Sequence, residues 1–582
     1  MSRLDDLKKA TNKKEFAATI GVNASFLTRI LYVNKIEDQY YQFQIPKRNG
    51  GKRTINAPTT ELKEIQSRLS KLLLACIDEI NDLKKIKPEL SHGFTKKRSI
   101  ITNAEKHIHQ KNILNLDLCD FFDSFNFGRV RGYFIKNKNF LLHTDISTVI
   151  AKIACLNDTL PQGSPCSPVI TNLITHSLDI KLASLAKKES CIYTRYADDL
   201  TFSTRKKLFS SKIVKVTKEK IILGNKLKRE IQRSGFSIND KKTRVQFTDS
   251  RQDVTGLVVN KKVSIKSEYW RTTRAMCHNL FTTGEYTRHV PGEVQLGKVS
   301  ELEGRLNFID SVDKYNHLRP KGAKEYKYEH QDKGLDYRKK LNVREKLFSK
   351  FLYYKSFIAN EQPTILCEGK TDNVYLKSAI NVLAKDYPLL ANEKKKETPC
   401  KLLVKFYDYS KRSDFLLDLN GGGTYLKKFV QRFDENSNFY KNTLPKNPVI
   451  LLLDNDSGPN ELLNFLINKK PRFNNCPKTK NDIRNADFVH LVSNLYLILT
   501  PRHEGQDTMM EDFFDTSTLE ILVDDRCFDR NKDADTTKTY GKNTFSIKVV
   551  KEKKSDISFT GFKEILDRIN SVIKHHNKLI SQ

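Results

Sequence analysis

The sequence predicts two mixed halves, an α+β region followed by an α/β region. Three observations carry this prediction. The chain has 582 residues, too many for one hydrophobic core and enough for about four domains. Strand-like and helix-like stretches alternate from "YYQFQIPKRNGGKRTINAP" onward. A second series of strand and helix patterns begins at "PTILCEG" and continues to the last residues.

The spacing of apolar residues predicts a helical segment over the first forty residues. In "KEFAATIGVNASFLTRILYV" the periodicity breaks at Gly21, and Asn23 is a candidate cap for the next helix. A small packing appendage is favoured here over a helix-turn-helix.

Changes in composition divide the rest of the chain. Residues 41–262 begin as strand, Gly-Gly turn, strand and helix, and continue as mixed α/β structure. Residues 263–316 read as helical. The stretch 317–345 is charged and contains Gly and Pro, which predicts a linker, and 346–582 form the second α/β region.

Composition restricts the partners and the compartment. The net charge of +33 favours a polyanionic partner, above all nucleic acid, over a merely soluble lysine-rich surface. No apolar run approaches the roughly 20 residues of a membrane span, and the amino terminus has no apolar signal segment. The ten cysteines are scattered singly, which argues against a disulfide scaffold. We therefore expect a cytoplasmic protein without a membrane partner.

Three aspartates form the first candidate site. Asp117 ends an apolar strand in "KNILNLDLCDFF", and Asp198 and Asp199 lie at the turn of a hairpin-like run, "CIYTRYADDLTFS". A solvated turn is the alternative for the adjacent pair. Between the two stretches lies the loop "TLPQGSPCSP". Its side chains are small, so its backbone can approach a base pair closely. Carboxylates from two strands at one sheet edge suit nucleotidyl transfer with two divalent metals.

The ordered set "IPKRNGGKRTI", "SHGFTKKRSI", "LDLCDFF", "LPQGSPCSP", "YADD" and "GFSINDKKT" resembles the fingers and palm motifs of reverse transcriptases. The resemblance implies a right-hand polymerase, with fingers and palm in 41–262 and a thumb in 263–316. It implies that Asp117, Asp198 and Asp199 are catalytic carboxylates that hold two Mg²⁺ ions.

The same resemblance assigns the nucleotide-binding residues. Phe122 matches the gate that excludes a ribose 2′-hydroxyl and so favours dNTPs, and Gln162 matches a residue beside the incoming nucleotide. Arg98 and Arg53 match cations that grip its triphosphate. Lys242 matches a proton donor to pyrophosphate, although the neighbouring Lys241 competes for that role and a surface lysine is the alternative.

Two further stretches resemble signatures of bacterial retron reverse transcriptases: Asn103 with His107 in "TNAEKHIHQ", and Val254, Thr255 and Gly256 in "QDVTGLVVN". That family implies RNA recognition by these residues and a cognate structured noncoding RNA as partner. It also implies priming from an internal 2′-hydroxyl and a branched multicopy single-stranded DNA (msDNA) as product. A maturase-like enzyme is the rival, but its zinc-knuckle cysteines are missing from the sequence.

The second half contains another acidic set. Glu368 ends the strand "PTILCEG", and Asp454 and Asp456 follow the apolar run "VILLLDND". The "GKT" beside Glu368 is not a P-loop, because Thr364 stands where a glycine is required. A glycine triplet, Gly421 to Gly423, precedes a helix and either contacts phosphate or forms a flexible turn.

This arrangement resembles the Toprim fold of topoisomerases, primases and OLD-type nucleases, which implies a mainly parallel sheet over 346–582. The resemblance implies that Glu368 is a general base or metal ligand and that Asp454 and Asp456 are ligands for Mg²⁺ or Mn²⁺. Asp372 fits as a further ligand. Glu511, the adjacent Asp512 and Lys542 resemble late elements of the OLD-type site. Acids that cap helices after buried strands are the structural alternative.

Together the resemblances imply an enzyme that makes phosphodiester bonds at one site and breaks them at another, in defence against bacteriophage. The nuclease target is RNA or DNA, and assembly into a homo-oligomer is compatible with the family. Two alternatives remain at this point. The second half could bind nucleic acid without cleaving it, in a general or maturase-like reverse transcriptase, or the whole chain could be an RNA-binding scaffold.

Overall fold

The computed structural model describes residues 2–47, 50–86, 89–217, 220–290, 293–318, 341–393, 399–440, 443–468, 476–530 and 537–582. The chain divides into two compact units. The first comprises Met1–Ser267 and Tyr315–Pro320, and the second comprises Glu268–Lys314 and Lys321–Gln582. Most of the expected linker, 317–345, falls outside the described residues.

The first unit combines nine α-helices and ten strands in its described residues. Its helices are α1 (Arg3–Lys9), α2 (Lys13–Ile20), α3 (Ala24–Thr28), α4 (Thr60–Leu83), α5 (Ile100–Glu105), α6 (Phe127–Lys136), α7 (Thr144–Ala154), α8 (Ser167–Lys188) and α9 (Asn225–Arg233). Its strands are β1 (Tyr40–Pro46), β2 (Lys52–Pro58), β3 (Asn112–Asp117), β4 (Ile192–Tyr196), β5 (Asp199–Thr204), β6 (Val214–Val216), β7 (Ile221–Leu223), β8 (Arg244–Phe247), β9 (Asp253–Val254) and β10 (Leu257–Val258).

Local signals set the amino-terminal helices. Helix α2 ends at Gly21, whose φ of 71° is the left-handed conformation that glycine adopts without strain. The side chain of Asn23 accepts a hydrogen bond from the backbone N–H of Ser25 and caps α3. The predicted helical segment, its break and its cap are confirmed. No single helix among the described residues meets the length and hydropathy of a membrane span, while one bent pair, Lys13–Ile20 with Ala24–Val33, meets both jointly.

The centre of the first unit is an antiparallel sheet in the order β4-β5-β3-β8. Strand β3 is its middle, and its side chains from Asn112 to Asp117 are almost all buried. Helix α8 packs beside β4, and its apolar residues join one large core with α4, α6 and α7. This sheet presents the carboxyl end of β3 beside the β4–β5 turn.

The second unit begins with α10 (Ser267–Thr283), β11 (Thr287–Val290), β12 (Glu293–Leu296) and α11 (Val299–Leu318), the region expected to be a thumb. Its further helices are α12 (Val343–Tyr353), α13 (Lys370–Val382), α14 (Lys411–Leu417), α15 (Gly423–Ser437), α16 (Asn460–Asn468), α17 (Lys480–Asn485), α18 (Thr516–Leu519), α19 (Lys542–Thr544) and α20 (Lys563–Ser581). Its further strands are β13 (Thr364–Cys367), β14 (Ala391–Asn392), β15 (Lys401–Leu402), β16 (Lys405–Phe406), β17 (Val449–Leu453), β18 (Val489–Val492), β19 (Leu495–Leu499), β20 (Cys527–Phe528) and β21 (Thr539–Tyr540).

A five-stranded sheet in the order β16-β13-β17-β19-β18 organises this unit. All its neighbouring pairs are parallel except β18–β19. Every residue of β17 is buried, as expected for a parallel strand covered on both faces. The strands β13 and β17 therefore end at the same edge of the sheet.

The expected thumb belongs to the core of the second unit. Phe281 of α10 contacts the rings of Tyr354 and Tyr440, and the hydroxyl of Tyr354 donates to the carbonyl of Gly284. Ion pairs add to this packing, including Lys355 with Glu303, Arg344 with Asp313 and Arg412 with Asp310. Helices α10 and α11 are thus continuous with the α/β half, although the sequence suggested a boundary near residue 346.

Candidate functional site: two acidic strand ends

The three palm aspartates come together at one sheet edge. Asp117 ends β3 directly opposite Asp199, the first residue of β5. The backbone N–H of Leu118 donates to the carbonyl of Asp198 at 3.1 Å, which fixes the turn against β3. This pairing follows from the antiparallel register, since facing residues of neighbouring strands bring their side chains close.

Two residues from the segment between α9 and β8 contact the Asp117 carboxylate. The ammonium of Lys242 lies 3.0 and 2.8 Å from its two oxygens, and the side-chain amide of Asn239 donates to one of them at 3.2 Å. Of the two lysines that competed from the sequence, Lys242 is the one in contact. Asn239 was missed, although it belongs to the quoted "GFSINDKKT".

The electrostatics of this edge suit a cation. Burial and then the Asp117 charge raise the pKa of Asp198. Desolvation in the cleft, followed by the charges of Asp198 and Asp117, raises the pKa of Asp199 to about 7. Carboxylates placed this close repel one another, and a divalent metal relieves that repulsion through oxygen ligands it prefers.

A buried arginine positions the turn that carries the two aspartates. Arg195 is fully buried, and its guanidinium makes two 2.8 Å bonds to Asp179 and one of 3.1 Å to the carbonyl of Ala197. Ala197 has a φ of 54°, an unfavourable value for a residue with a Cβ. A Cβ on Gly93 would lie 2.5 Å from the Ala197 nitrogen, so this fingers glycine permits the close approach. None of these contacts was predicted.

The candidate nucleotide-binding residues all lie in the first unit. The carbonyl of Gln162 accepts from the backbone N–H of Asn56, which places its loop against β2, the strand of the exposed Arg53. Phe122 is half-buried, with edge contacts to the rings of Phe121 and Phe94. Arg98 is half-buried just before α5.

The residues expected to recognise RNA lie mostly inside the protein. Asn103, His107 and Val254 are completely buried. His107 bonds Ser203 and Thr194 at 2.7 Å each, and burial lowers its pKa to about 3. As placed, these three side chains expose no atom for direct RNA contact, and their part in RNA recognition stays a prediction.

The remaining two expected RNA contacts form a turn beside them. Thr255 has a φ of 46° and donates its hydroxyl to the carbonyl of Ile100, the first residue of α5. Gly256 follows with a φ of 84° and is exposed. The tripeptide therefore joins α5 to the β9–β10 hairpin.

The second acidic set also meets at a sheet edge. Glu368 follows β13 and Asp454 follows β17, two parallel neighbours in which Cys367 faces Leu452. Burial, then Asp456 and Asp372, raise the pKa of Glu368. Burial, then three neighbouring carboxylates, raise the pKa of Asp454 to about 8, although the backbone N–H of Met510 donates to it.

Other predicted members lie close but have protein partners. Asp372 accepts from the backbone N–H of Gly369 at 2.7 Å and caps α13, and Asp456 accepts from Gly458 at 2.7 Å. Glu511 is fully buried and bonds Lys542 at 3.0 Å. Asp512 pairs with Arg530. Among the described residues, no group of three or more His, Cys, Asp or Glu side chains could hold a metal ion as it stands.

The glycine triplet is part of this set. Gly422 donates its N–H to the carbonyl of Glu368 at 3.0 Å, and the N–H of Gly423 bonds the Glu368 carboxylate. A Cβ on Gly421 would lie 2.6 Å from the Glu368 carbonyl oxygen, at a φ of 76°. The triplet is thus a close-packed turn against the acid, and contact with phosphate stays a prediction.

Arg484 holds the turn between Asp454 and Asp456. It is 8% exposed and donates to the carbonyls of Asn455 and Asp456 and to the side chains of Asn455 and Asn460. Asn455 is itself fully buried. Sequence reasoning missed both residues.

The meeting of Asp117, Asp198 and Asp199 at one sheet edge fits metal-dependent nucleotidyl transfer. The profile of the family described as reverse transcriptase (RNA-dependent DNA polymerase) matches residues 45–266. The chain is 34% identical over 323 residues to the retron Ec86 reverse transcriptase of Escherichia coli, covering 55% of this chain and 87% of that one. This chain therefore belongs to the retron reverse transcriptases.

Other relatives agree. The retron Mx65 reverse transcriptase of Myxococcus xanthus is 33% identical over 46% of this chain and 62% of its own length. The retron Mx162 enzyme of the same organism is 32% identical over 54% and 66%. Among solved structures, telomerase from Candida albicans aligns with 12% identity and a TM-score of 0.28, over 55% of this chain and 59% of that one, too distant a likeness to bear on the fold.

Proposed function

We propose that this retron reverse transcriptase copies a cognate structured noncoding RNA into branched msDNA, primed from a 2′-hydroxyl. The observation that carries the polymerase chemistry is Asp117 facing Asp199 beside the Asp198 turn. The family uses a divalent metal, generally Mg²⁺, and the hard carboxylate donors fit it. In this proposal the three aspartates hold two such ions, which when bound stabilise the charge of phosphoryl transfer.

The chain's own residues have separate roles in this proposal. Lys242 and Asn239 fix the Asp117 carboxylate, and in this proposal Lys242 also gives a proton to departing pyrophosphate. Phe122 excludes a 2′-hydroxyl from the nucleotide site. Arg53 and Arg98 bind the triphosphate by charge-assisted bonds.

Small nucleic acids extracted from cells with the gene and its native upstream region test this proposal. We expect an RNase-sensitive branched DNA from wild type and none from Asp198→Ala. As matched control, Asp145→Asn changes an exposed acid of the same unit and should leave the product unchanged. No band from the wild type, with extension of an added primer still measurable, would reject the retron step alone.

For the second unit we propose a Toprim nuclease that acts as an antiphage effector. The support is the placement of Glu368 and Asp454 at adjoining carboxyl ends of parallel strands, where ligands gather in α/β sheets. Asp456 and Asp372 complete the acidic set, and Lys542 neutralises the buried Glu511. Mg²⁺ or Mn²⁺ is the expected metal, held by these carboxylates.

We further propose that the RNA–DNA product restrains the nuclease until infection. The shared core of α10, α11 and the α/β half gives such restraint a physical route, because a thumb that grips the hybrid belongs to the nuclease unit. Cells that express the full protein without the noncoding RNA should grow poorly, and Glu368→Gln should restore their growth. Healthy growth of the first strain contradicts the restraint.

One observation favours a second candidate, a unit that binds nucleic acid without cleaving it. The carboxylates of Asp372 and Asp456 are engaged by backbone N–H groups, as caps would be. Phage plating separates the two, with Asp386→Asn, an exposed acid, as control. Protection lost only in Glu368→Gln supports the nuclease, whereas protection kept in both variants supports the binding module.

A further inference from the structure

A hollow of about 390 Å³ lies on the first unit between α6, α8 and α9. Four of its lining residues are cationic, Arg129, Lys136, Lys181 and Arg233, and none is acidic. None of its lining residues is one of the three palm aspartates or a side chain that bonds them. Nothing in the polymerase chemistry described above uses it.

Arg129 places a fixed positive charge at this hollow. Its guanidinium donates to the carbonyls of Ser124 and Ser234 at 2.9 and 2.7 Å and lies 4.7 and 4.4 Å from the ring centroids of Phe125 and Phe236. All of these partners are neutral, and no carboxylate lies within 4.0 Å of Arg129 among the described residues. A half-buried cation without a counter-charge attracts an anion from solution.

The other three cations are free to move onto such an anion. Lys136 and Arg233 end α6 and α9, are exposed, and have no acidic partner within 4.0 Å in the described part of the chain. Lys181 is 48% exposed and lies 3.8 Å from Glu230, a distance that gives only a weak surface pair. Three exposed cations therefore lie around one fixed cation.

We propose that this hollow binds a backbone phosphate of the nucleic acid that the enzyme carries, outside the polymerase cleft. Structured RNA is read largely through its shape, its 2′-hydroxyls and its phosphates, so the favoured ligand is the sugar-phosphate backbone of the RNA partner. This inference rests on the RNA recognition proposed above. It adds to that proposal a second nucleic-acid-binding site, which is separate from the expected thumb.

The test measures how salt weakens binding to the full-length protein freed of nucleic acid. The probes are a labelled RNA hairpin and a labelled single-stranded DNA oligonucleotide, titrated between about 50 and 200 mM salt. The variant is Lys136→Gln/Lys181→Gln/Arg233→Gln. The control, Lys9→Gln/Lys14→Gln/Lys63→Gln, removes the same charge from exposed positions on α1, α2 and α4.

We expect the slope of log K against log salt for the hairpin to become shallower by about 1 in the hollow variant, since one lost phosphate contact contributes about 0.9. The control should keep the wild-type slope. A shallower slope with the hairpin alone assigns the site to RNA, and an equal change with both probes assigns it to phosphodiesters of either strand. Equal slopes for both triple variants overturn the inference, whereas a wild type that binds neither probe rejects the RNA partnership itself.

Discussion

Replacing Asp179 by Asn tests the claim that a buried ion pair positions the catalytic turn. Arg195 is 0% exposed and Asp179 is 1% exposed, and two 2.8 Å bonds join them. Tyr193 also donates to Asp179 at 2.8 Å. The variant leaves a guanidinium inside the protein without its counter-charge.

Loss of one member of a buried pair costs about 3 to 5 kcal/mol, because the desolvation of the remaining charge is no longer offset. At roughly 2 to 4 °C per kcal/mol for a unit of this size, the melting transition should move down by about 6 to 20 °C. Scanning calorimetry measures the shift. Asp145→Asn makes the same chemical change at an exposed site and should move the transition little.

The double variant Asp179→Asn/Arg195→Gln separates stability from positioning. Removing both charges should recover most of the melting temperature. It also removes the bond from Arg195 to the Ala197 carbonyl, so Asp198 loses its fixed place and primer extension should stay at least about tenfold below wild type. Full recovery of extension in the double variant, or an unshifted transition in Asp179→Asn, would refute the reasoning.

Three other outcomes are expected. Gly421→Ala places a Cβ against the Glu368 carbonyl, so phage protection should fall while msDNA yield stays, and undiminished plaque protection contradicts this. Arg484→Met leaves the Asn455 turn unsupported and should lower the melting temperature by several degrees, whereas Lys478→Met, at an exposed position, should not. His107 is neutral when folded, with a pKa of about 3, so its stabilisation is complete above about pH 6.5 and declines as pH falls toward 3. His107→Gln should therefore show a flatter melting profile from pH 7 to 4.5, and an unchanged slope would contradict this.

The strand ends could be predicted from the sequence because they depend on short-range patterns. "NILNLD" and "VILLLD" are apolar runs that stop at an acid, and the structure ends β3 at Asp117 and β17 just before Asp454. The register between strands distant in sequence decides which residues face these acids. No local pattern states that Asp117 lies opposite Asp199 or that Asn239 reaches it.

Two of the missed residues, Arg195 and Arg484, share a signal that sequence reasoning could have used. Arg195 stands inside the hairpin-like run "CIYTRYADDLTFS", and Arg484 lies in the short helix α17 before the strand β18. A charged residue in a buried element requires a partner, so each marks a polar network even though the sequence does not name the partner. By contrast, the Asn103 and His107 motif could not reveal burial, because the same letters serve interior and exposed positions equally.

The helices expected to form a thumb, α10 and α11, belong to the unit that carries the second acidic set. The sequence suggested that a boundary near residue 346 separates them from that set. Instead Phe281 packs on Tyr354 and Tyr440, and Lys355 and Arg344 pair with acids of α11, so the helices share a core with the sheet that ends at Glu368 and Asp454. Close-packed cores transmit displacement rather than absorb it. Under the restraint proposed above, a hybrid bound by these helices would therefore act on the same compact unit that carries the second acidic set.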